Sequence, residues 1–156
     1  MKCLSSLAEQ SGLHVLLPDY RLAPEHPRPA GLDDCCAAYR WLIDQGFPAA
    51  RIAIAGDSAG GSLTLGVLMW ARDQSLPLPA CAVLMSPVTD FSCGSPSIVD
   101  NEDSDALFSC HALGLVQGHY LAGTPADDPV ASPLFGQCVS GGVNFVETGR
   151  LRNHRF

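Results

Sequence analysis

Basic residues are scarce in this chain: nine Lys and Arg stand against sixteen Asp and Glu, for a formal net charge of −7 and a pI near 4.9. Nucleic-acid binding draws on cations that neutralise phosphates, so nucleic acid is excluded as a partner. Long apolar runs are missing too. The longest fall far short of the roughly 20 residues that cross a bilayer, and no membrane span is expected. The stretch from Met1 to Gln10 holds a single lysine and no continuous apolar core, so it fails as a secretory signal, and a cytoplasmic location is expected. Seven cysteines, at 3, 35, 36, 81, 93, 110 and 138, include no C-x-x-C spacing. Their odd number and apolar surroundings read as buried, reduced thiols. Cys35 and Cys36 are neighbours on a helix and point apart, which excludes a shared zinc site; neither metal nor cofactor is expected.

What is present is a globular composition, 47% hydrophobic and 16% charged over 156 residues. That length suits one domain burying about two thirds of its unfolded surface. Residues 4–10 read as a helix, and the apolar run 13–17, bounded by Gly12 and Pro18, as a strand buried on both faces. Pro24, Pro27 and Pro29 make the next segment a rigid loop up to Ala30. Leu32, Cys35, Cys36, Tyr39, Leu42 and Ile43 then recur at helical spacing until Gly46 ends the helix. A strand over 51–55, a helix to about Asp73, the breaker Leu76-Pro77-Leu78-Pro79 and a strand over 81–85 follow. This α/β alternation predicts a parallel sheet with helices on both faces. Residues 92–105 read as a surface loop with solvated aspartates, 111–122 as a helix, and the segment holding Pro125, Pro129 and Pro133 as irregular. Residues 137–156 show no assignable fold.

Between the last two strands lies Gly56-Asp57-Ser58-Ala59-Gly60-Gly61. A G-x-S-x-G sequence between a strand and a helix is a nucleophile elbow. It sets a serine on a sharp, strained turn where strand and helix approach too closely for side chains, so Gly56 and Gly60 flank it. Ser58 is the candidate nucleophile. The Ala59 N–H, at the helix start, is placed to stabilise the oxyanion of acyl transfer. A phosphate-binding loop is excluded because Gly61, not lysine, precedes Ser62. Gly-Asp-Ser also surrounds the nucleophile of chymotrypsin-like proteases, but those are all-β barrels, whereas Ser58 leads into a helical run from Ser62 to Arg72.

With these residues in place, the chain resembles the α/β-hydrolase fold and, within it, the hormone-sensitive-lipase-like bacterial carboxylesterases. The likeness covers residues 4–136. It rests on Asp19-Tyr20-Arg21-Leu22-Ala23-Pro24-Glu25, on the elbow, on Ser86-Pro87-Val88-Thr89-Asp90, and on Asp128-Pro129-Val130-Ala131-Ser132-Pro133-Leu134-Phe135. The resemblance implies hydrolysis of a small-molecule carboxylic ester, with Ser58 as nucleophile and the Ala59 N–H as one oxyanion-hole donor. It also implies a His-Gly-Gly-Gly loop completing that hole, which this sequence lacks, and a triad acid and histidine beyond Phe135, where the recognisable pattern stops. Residues 1–136 thus read as a partial α/β-hydrolase domain. Residues 137–156 read as an unassigned tail, consistent with a truncated gene model or an altered reading frame.

The remaining side chains that invite a catalytic reading have plainer explanations. His111 and His119 sit in the predicted helix with surface or packing roles, and His154 lies in the tail. Asp90 reads as a loop residue near the site, and Asp57 as support for the elbow. Arg21 and Glu25 read as a structural ion pair before they read as a carboxylate clamp, and Tyr20 is ambiguous. Loss of the triad serine or histidine costs a serine hydrolase about a millionfold in kcat, so the expectation is an esterase by descent that is inactive or very weak as this chain. A noncatalytic fragment and a small-molecule binding module are the alternatives. A three-stranded sheet with open edges also invites self-association.

Overall fold

The structure, a computed structural model, describes residues 2–106, 108–137 and 143–148. Helix α1 spans Lys2–Ser11, α2 Ala30–Asp44 and α3 Ala59–Asp73, with strand β1 at Ala53–Asp57 and β2 at Cys81–Met85. Beyond them lie the short helix α4 (Pro96–Asp100), α5 (Cys110–Leu121) and strand β3 (Asn144–Thr148). The sheet is parallel in the order β1-β2-β3, with Ala53 opposite Cys81 and Cys81 opposite Asn144.

The expected parallel α/β arrangement is present, with three differences. Residues 13–17 form no strand, and Leu13, Leu16 and Leu17 are 67%, 49% and 58% exposed. The third strand comes instead from 144–148, inside the segment the sequence left unassigned. Among the described residues helical cover lies on one face of the sheet: α3 packs on β1 and β2, and α2 packs on α3. On the opposite face Ala53, Ala55, Asp57 and Met85 are exposed.

The core sits where α3 is sandwiched. Leu32, Cys36 and Tyr39 of α2 meet Leu63, Val67 and Ala71 of α3, while Leu68, fully buried, faces Ala82 of β2. Burial of one leucine side chain stabilises by about 2 kcal/mol. The helices approach closely at Gly66, where a Cβ would lie 2.7 Å from a Leu32 methyl. Arg40 lies over the Trp70 ring at 5.7 Å, and the Tyr39 hydroxyl donates to the Pro77 carbonyl at 2.7 Å.

A second cluster gathers Phe91, Leu121 and Ala131, with Phe91 stacked on Tyr120 at 4.8 Å. Buried Ser132 ties it together, accepting from the Phe91 N–H (2.8 Å) and donating to the Ala126 carbonyl (2.6 Å). Within the segment read as a loop, Ser95-Pro96 starts α4, with proline in the first helical turn where its missing N–H costs nothing.

Cysteines 35, 36, 81, 93 and 110 are free, and only Cys36 among them is buried. Burial pushes the Cys36 thiol up to about 12 and the Cys35 thiol up to about 11, with nearby carboxylates adding to both. Both thiols are therefore held in the protonated, unreactive form at pH 8. Iodoacetamide at pH 8 is expected to leave both residues unmodified in the folded chain and to alkylate them in urea, read by peptide mass. Rapid alkylation of Cys36 without denaturant would contradict this packing.

Candidate active site

Strand β1 ends at Asp57 and α3 starts at Ala59, so one residue makes the whole turn. Ser58 makes it at φ +53° and ψ −116°. A positive φ on a residue with a Cβ costs about 1–3 kcal/mol and persists only where the surroundings over-determine it. Here four backbone hydrogen bonds do so. The Ser58 N–H donates to the Met85 carbonyl (2.9 Å), and the Ser58 carbonyl accepts from Gly61, Val88 and Ser62 at 3.0, 3.2 and 3.3 Å.

Glycine clears the space for that turn, at positions only partly those expected. A Cβ on Gly56 would lie 2.0 Å from the Gly60 carbonyl oxygen, so strand and helix backbones touch there. Gly60, by contrast, has nothing within 4 Å of its missing Cβ, and the second tight position is Gly61, 2.7 Å from the Pro87 side chain. Pro87 and Val88, just after β2, therefore hold the helix start from the other side. Sequence reasoning missed that role, though the Ser-Pro step after the strand was its signal. Ser86 itself takes φ +44°.

The Ser58 side chain is half-buried and does not cap α3. Of the first helical N–H groups, those of Gly61 and Ser62 are bonded to the Ser58 carbonyl, whereas no acceptor meets the N–H of Ala59 or Gly60 among the described residues. A hydroxyl beside two unsatisfied donors at a helix N-terminus is an arrangement that can receive a negatively charged oxygen.

None of the other side chains singled out from sequence is hydrogen-bonded to Ser58 among the described residues. His14, His26, His111 and His119 are exposed, and among the described residues no hydrogen bond joins a histidine to Ser58; His154 lies outside the described residues. Asp57 is exposed and makes no side-chain hydrogen bond to the elbow it was expected to support. Asp90 closes a local turn by accepting from the Ser92 N–H at 2.7 Å. The Tyr20 ring packs over Gly31 and against the first core cluster. Among the described residues no group of three or more His, Cys, Asp or Glu can hold a metal, and no helix is long and apolar enough to cross a membrane.

Arg21 forms a structural ion pair, but with Asp34 on α2 rather than with Glu25. Its Nη2 lies 2.8 Å from Asp34 Oδ1, and its own backbone N–H donates to Oδ2 at 2.9 Å. Hydrogen bonds from Arg21 hold the Asp34 carboxyl at about 2. A carboxyl depressed below its unfolded value stabilises the fold above roughly pH 4, and that contribution is lost as pH falls toward 2. A side-chain carboxyl NMR titration is expected to place the Asp34 midpoint near 2. Arg21→Ala should raise it part of the way toward the ordinary aspartate range, since the backbone N–H at position 21 still donates to Oδ2, and an unchanged midpoint would remove the Arg21 side chain as a cause.

With strand, turn and helix described, comparison with known proteins decides the family. The family model described as alpha/beta hydrolase fold matches residues 1–147. The chain belongs to the alpha/beta hydrolase fold family. Within it, an acetyl-hydrolase of Streptomyces hygroscopicus is 42% identical over 132 residues, covering 85% of this chain and 44% of that protein. An ethyl acetate hydrolase of Pseudomonas putida is 40% identical, over 86% of this chain and 44% of its own. A crystal structure of EstE5 superposes with a TM-score of 0.80 at 45% identity, covering 85% of this chain and 45% of that one. An esterase of the bacterial hormone-sensitive lipase family superposes at 0.72 with 42% identity, over 76% of this chain and 40% of its own. By descent this alpha/beta hydrolase chain stands among ester hydrolases. It spans less than half the length of these relatives, and its three-stranded sheet is a partial version of their fold.

Proposed function

We propose that this chain carries the nucleophile of a carboxylic ester hydrolase and that Ser58 is that nucleophile. The observation that supports the reading is Ser58 itself, held at positive φ at the head of α3 beside the unbonded Ala59 N–H. In the proposed reaction the Ser58 Oγ attacks the ester carbonyl carbon while its proton passes to a base. The carbonyl oxygen, now negative, takes the Ala59 N–H, the alcohol leaves with a proton, and water then releases the acid from the acyl-enzyme. The substrate class is a small ester with a short acyl group, in keeping with the acetyl and ethyl acetate esters in the relatives' names. The free thiols of Cys35, Cys36, Cys81, Cys93 and Cys110 among the described residues fit a reducing, cytoplasmic setting.

Among the described residues no histidine is hydrogen-bonded to Ser58, so turnover by this chain alone is proposed to be very low. That same observation favours a second reading, an ester-binding module without hydrolysis. Release of p-nitrophenol from p-nitrophenyl butyrate separates the two. The chain is expected to exceed its Ser58→Ala variant by a measurable margin, far below the roughly millionfold effect in a complete serine hydrolase because effects within such a unit are not additive. Equal rates would remove Ser58 as the nucleophile, and saturable binding of the ester with equal rates would support the binding module.

A further inference from the structure

The Ser58 carbonyl and the Ala59 N–H are the two ends of one peptide group, planar and trans, so they point in opposite directions. Whatever grips the carbonyl therefore aims the N–H. Three N–H groups donate to that carbonyl: Gly61 at 3.0 Å, Val88 at 3.2 Å and Ser62 at 3.3 Å. Those of Gly61 and Ser62 belong to the first turn of α3 and move with it. Val88 donates from outside the helix, the one such donor among the described residues.

Val88 is itself held from the far side. Its side chain packs against the cluster of Phe91, Leu121 and Ala131. The residues that follow it are fixed at three backbone points. The Thr89 carbonyl accepts from the Leu134 N–H (3.0 Å), the Phe91 N–H donates to Ser132 Oγ (2.8 Å), and the Phe91 carbonyl accepts from Gln117 Nε2 (2.7 Å). None of these tethers comes from β1 or α3, so the Val88 N–H is placed from outside the elbow it grips. Given Ser58 as nucleophile and the Ala59 N–H as oxyanion donor, the reading proposed above, we infer that Val88 is a positioning residue for acyl transfer. Its backbone N–H orients and polarises the Ser58–Ala59 peptide so that the Ala59 N–H meets the developing oxyanion. A hydrogen bond accepted at one end of a peptide strengthens the one donated at the other by about 10–30%. Aim matters as well, because a hydrogen bond weakens steeply as it departs from linearity.

Replacing Val88 by its α-hydroxy acid turns this N–H into an ester oxygen and keeps the side chain. The change also weakens the Pro87 carbonyl as an acceptor, but no hydrogen bond among the described residues uses that carbonyl. Butyrylation of Ser58 by p-nitrophenyl butyrate, followed by peptide mass, is expected to slow about tenfold or more at saturating ester. The half-saturating concentration should change by less than about twofold, since an oxyanion donor acts in the transition state. Val88→Ala keeps the N–H and loses only packing, so it should slow the reaction by less than about threefold. Acylation at the unmodified rate without the N–H, or an equal slowing in Val88→Ala, would overturn the assignment. Resonance shifts separate this from the nucleophile reading. With the donor removed, the Ser58 carbonyl carbon and the Ala59 amide nitrogen are expected to move upfield whether or not any adduct forms. No adduct in the unmodified chain would remove Ser58 as nucleophile, whereas unmoved resonances would overturn the role of Val88. Hydrogen exchange on the unmodified chain covers a variant that does not fold. The Val88 amide is expected to be protected, and exchange at the rate of an unstructured amide would also overturn the proposal.

Discussion

Gly56→Ala is expected to lower stability by about 3 kcal/mol or more, the upper end of what overpacking costs, with complete loss of cooperative unfolding as the extreme result. The added methyl would meet the Gly60 carbonyl oxygen at 2.0 Å, the Gly60 carbonyl carbon at 2.2 Å and the Gly61 nitrogen at 2.6 Å. All three are backbone atoms of the first turn of α3, so no side-chain rotation relieves them. The helix must move as a body, and α3 carries the fully buried Leu68 and Ala71 against the sheet and α2. Gly60→Ala is the control, since no atom lies within 4 Å of its new methyl and alanine is the better helix former. Its urea midpoint is expected within the equivalent of about 1 kcal/mol of the unmodified chain. Equal losses at the two positions would refute the strand–helix contact at Gly56.

The second large effect is expected at Asp128. Its Oδ1 accepts from Arg28 Nη2 at 2.8 Å and from the Val130 and Ala131 N–H groups at 3.0 Å each. The Arg28 side chain is only 10% exposed, and its Nε has no partner among the described residues, so Asp128 is the counter-charge for a nearly buried guanidinium. Removing one member of a buried pair costs about 3–5 kcal/mol, and because Asp128 is one third exposed, Asp128→Ala is expected nearer the lower figure. Arg28→Met added to Asp128→Ala should recover part of the loss, because no buried charge is then left unpaired. Urea midpoints of the two variants check this. A double variant less stable than Asp128→Ala would show that the lost turn hydrogen bonds, not the stranded charge, carry the cost.

Where a sequence signal was local, it was legible. The α2 periodicity, its end at Gly46 with φ +84°, and the strand–turn–helix around Ser58 all depend on neighbours within a few residues and all appear in the fold. The run 13–17 behaved differently, because an unbroken apolar stretch records that both faces are meant to be covered. The described residues supply no such cover, and the segment lies exposed as coil. Strand β3 was missed because the family pattern ends near Gly136, although Val143, Phe145, Val146 and Thr148 are residues that favour strands. Around the elbow, the motif located the serine, but Gly61 and Pro87 lie 26 positions apart in the chain, and only the fold shows that they touch. Arg21 was legible as half of an ion pair, while its partner on α2 was not, for the same reason.

The central claim is that Ser58 is presented as an acyl acceptor. Incubating the chain with p-nitrophenyl butyrate, quenching in acid and mapping the butyryl group by peptide mass tests it most directly, since an acyl-enzyme is detected even where turnover is slow. The account predicts a butyryl adduct on the peptide bearing Ser58, absent from Ser58→Ala. Butyrylation confined to other residues, or equal in both chains, would contradict it.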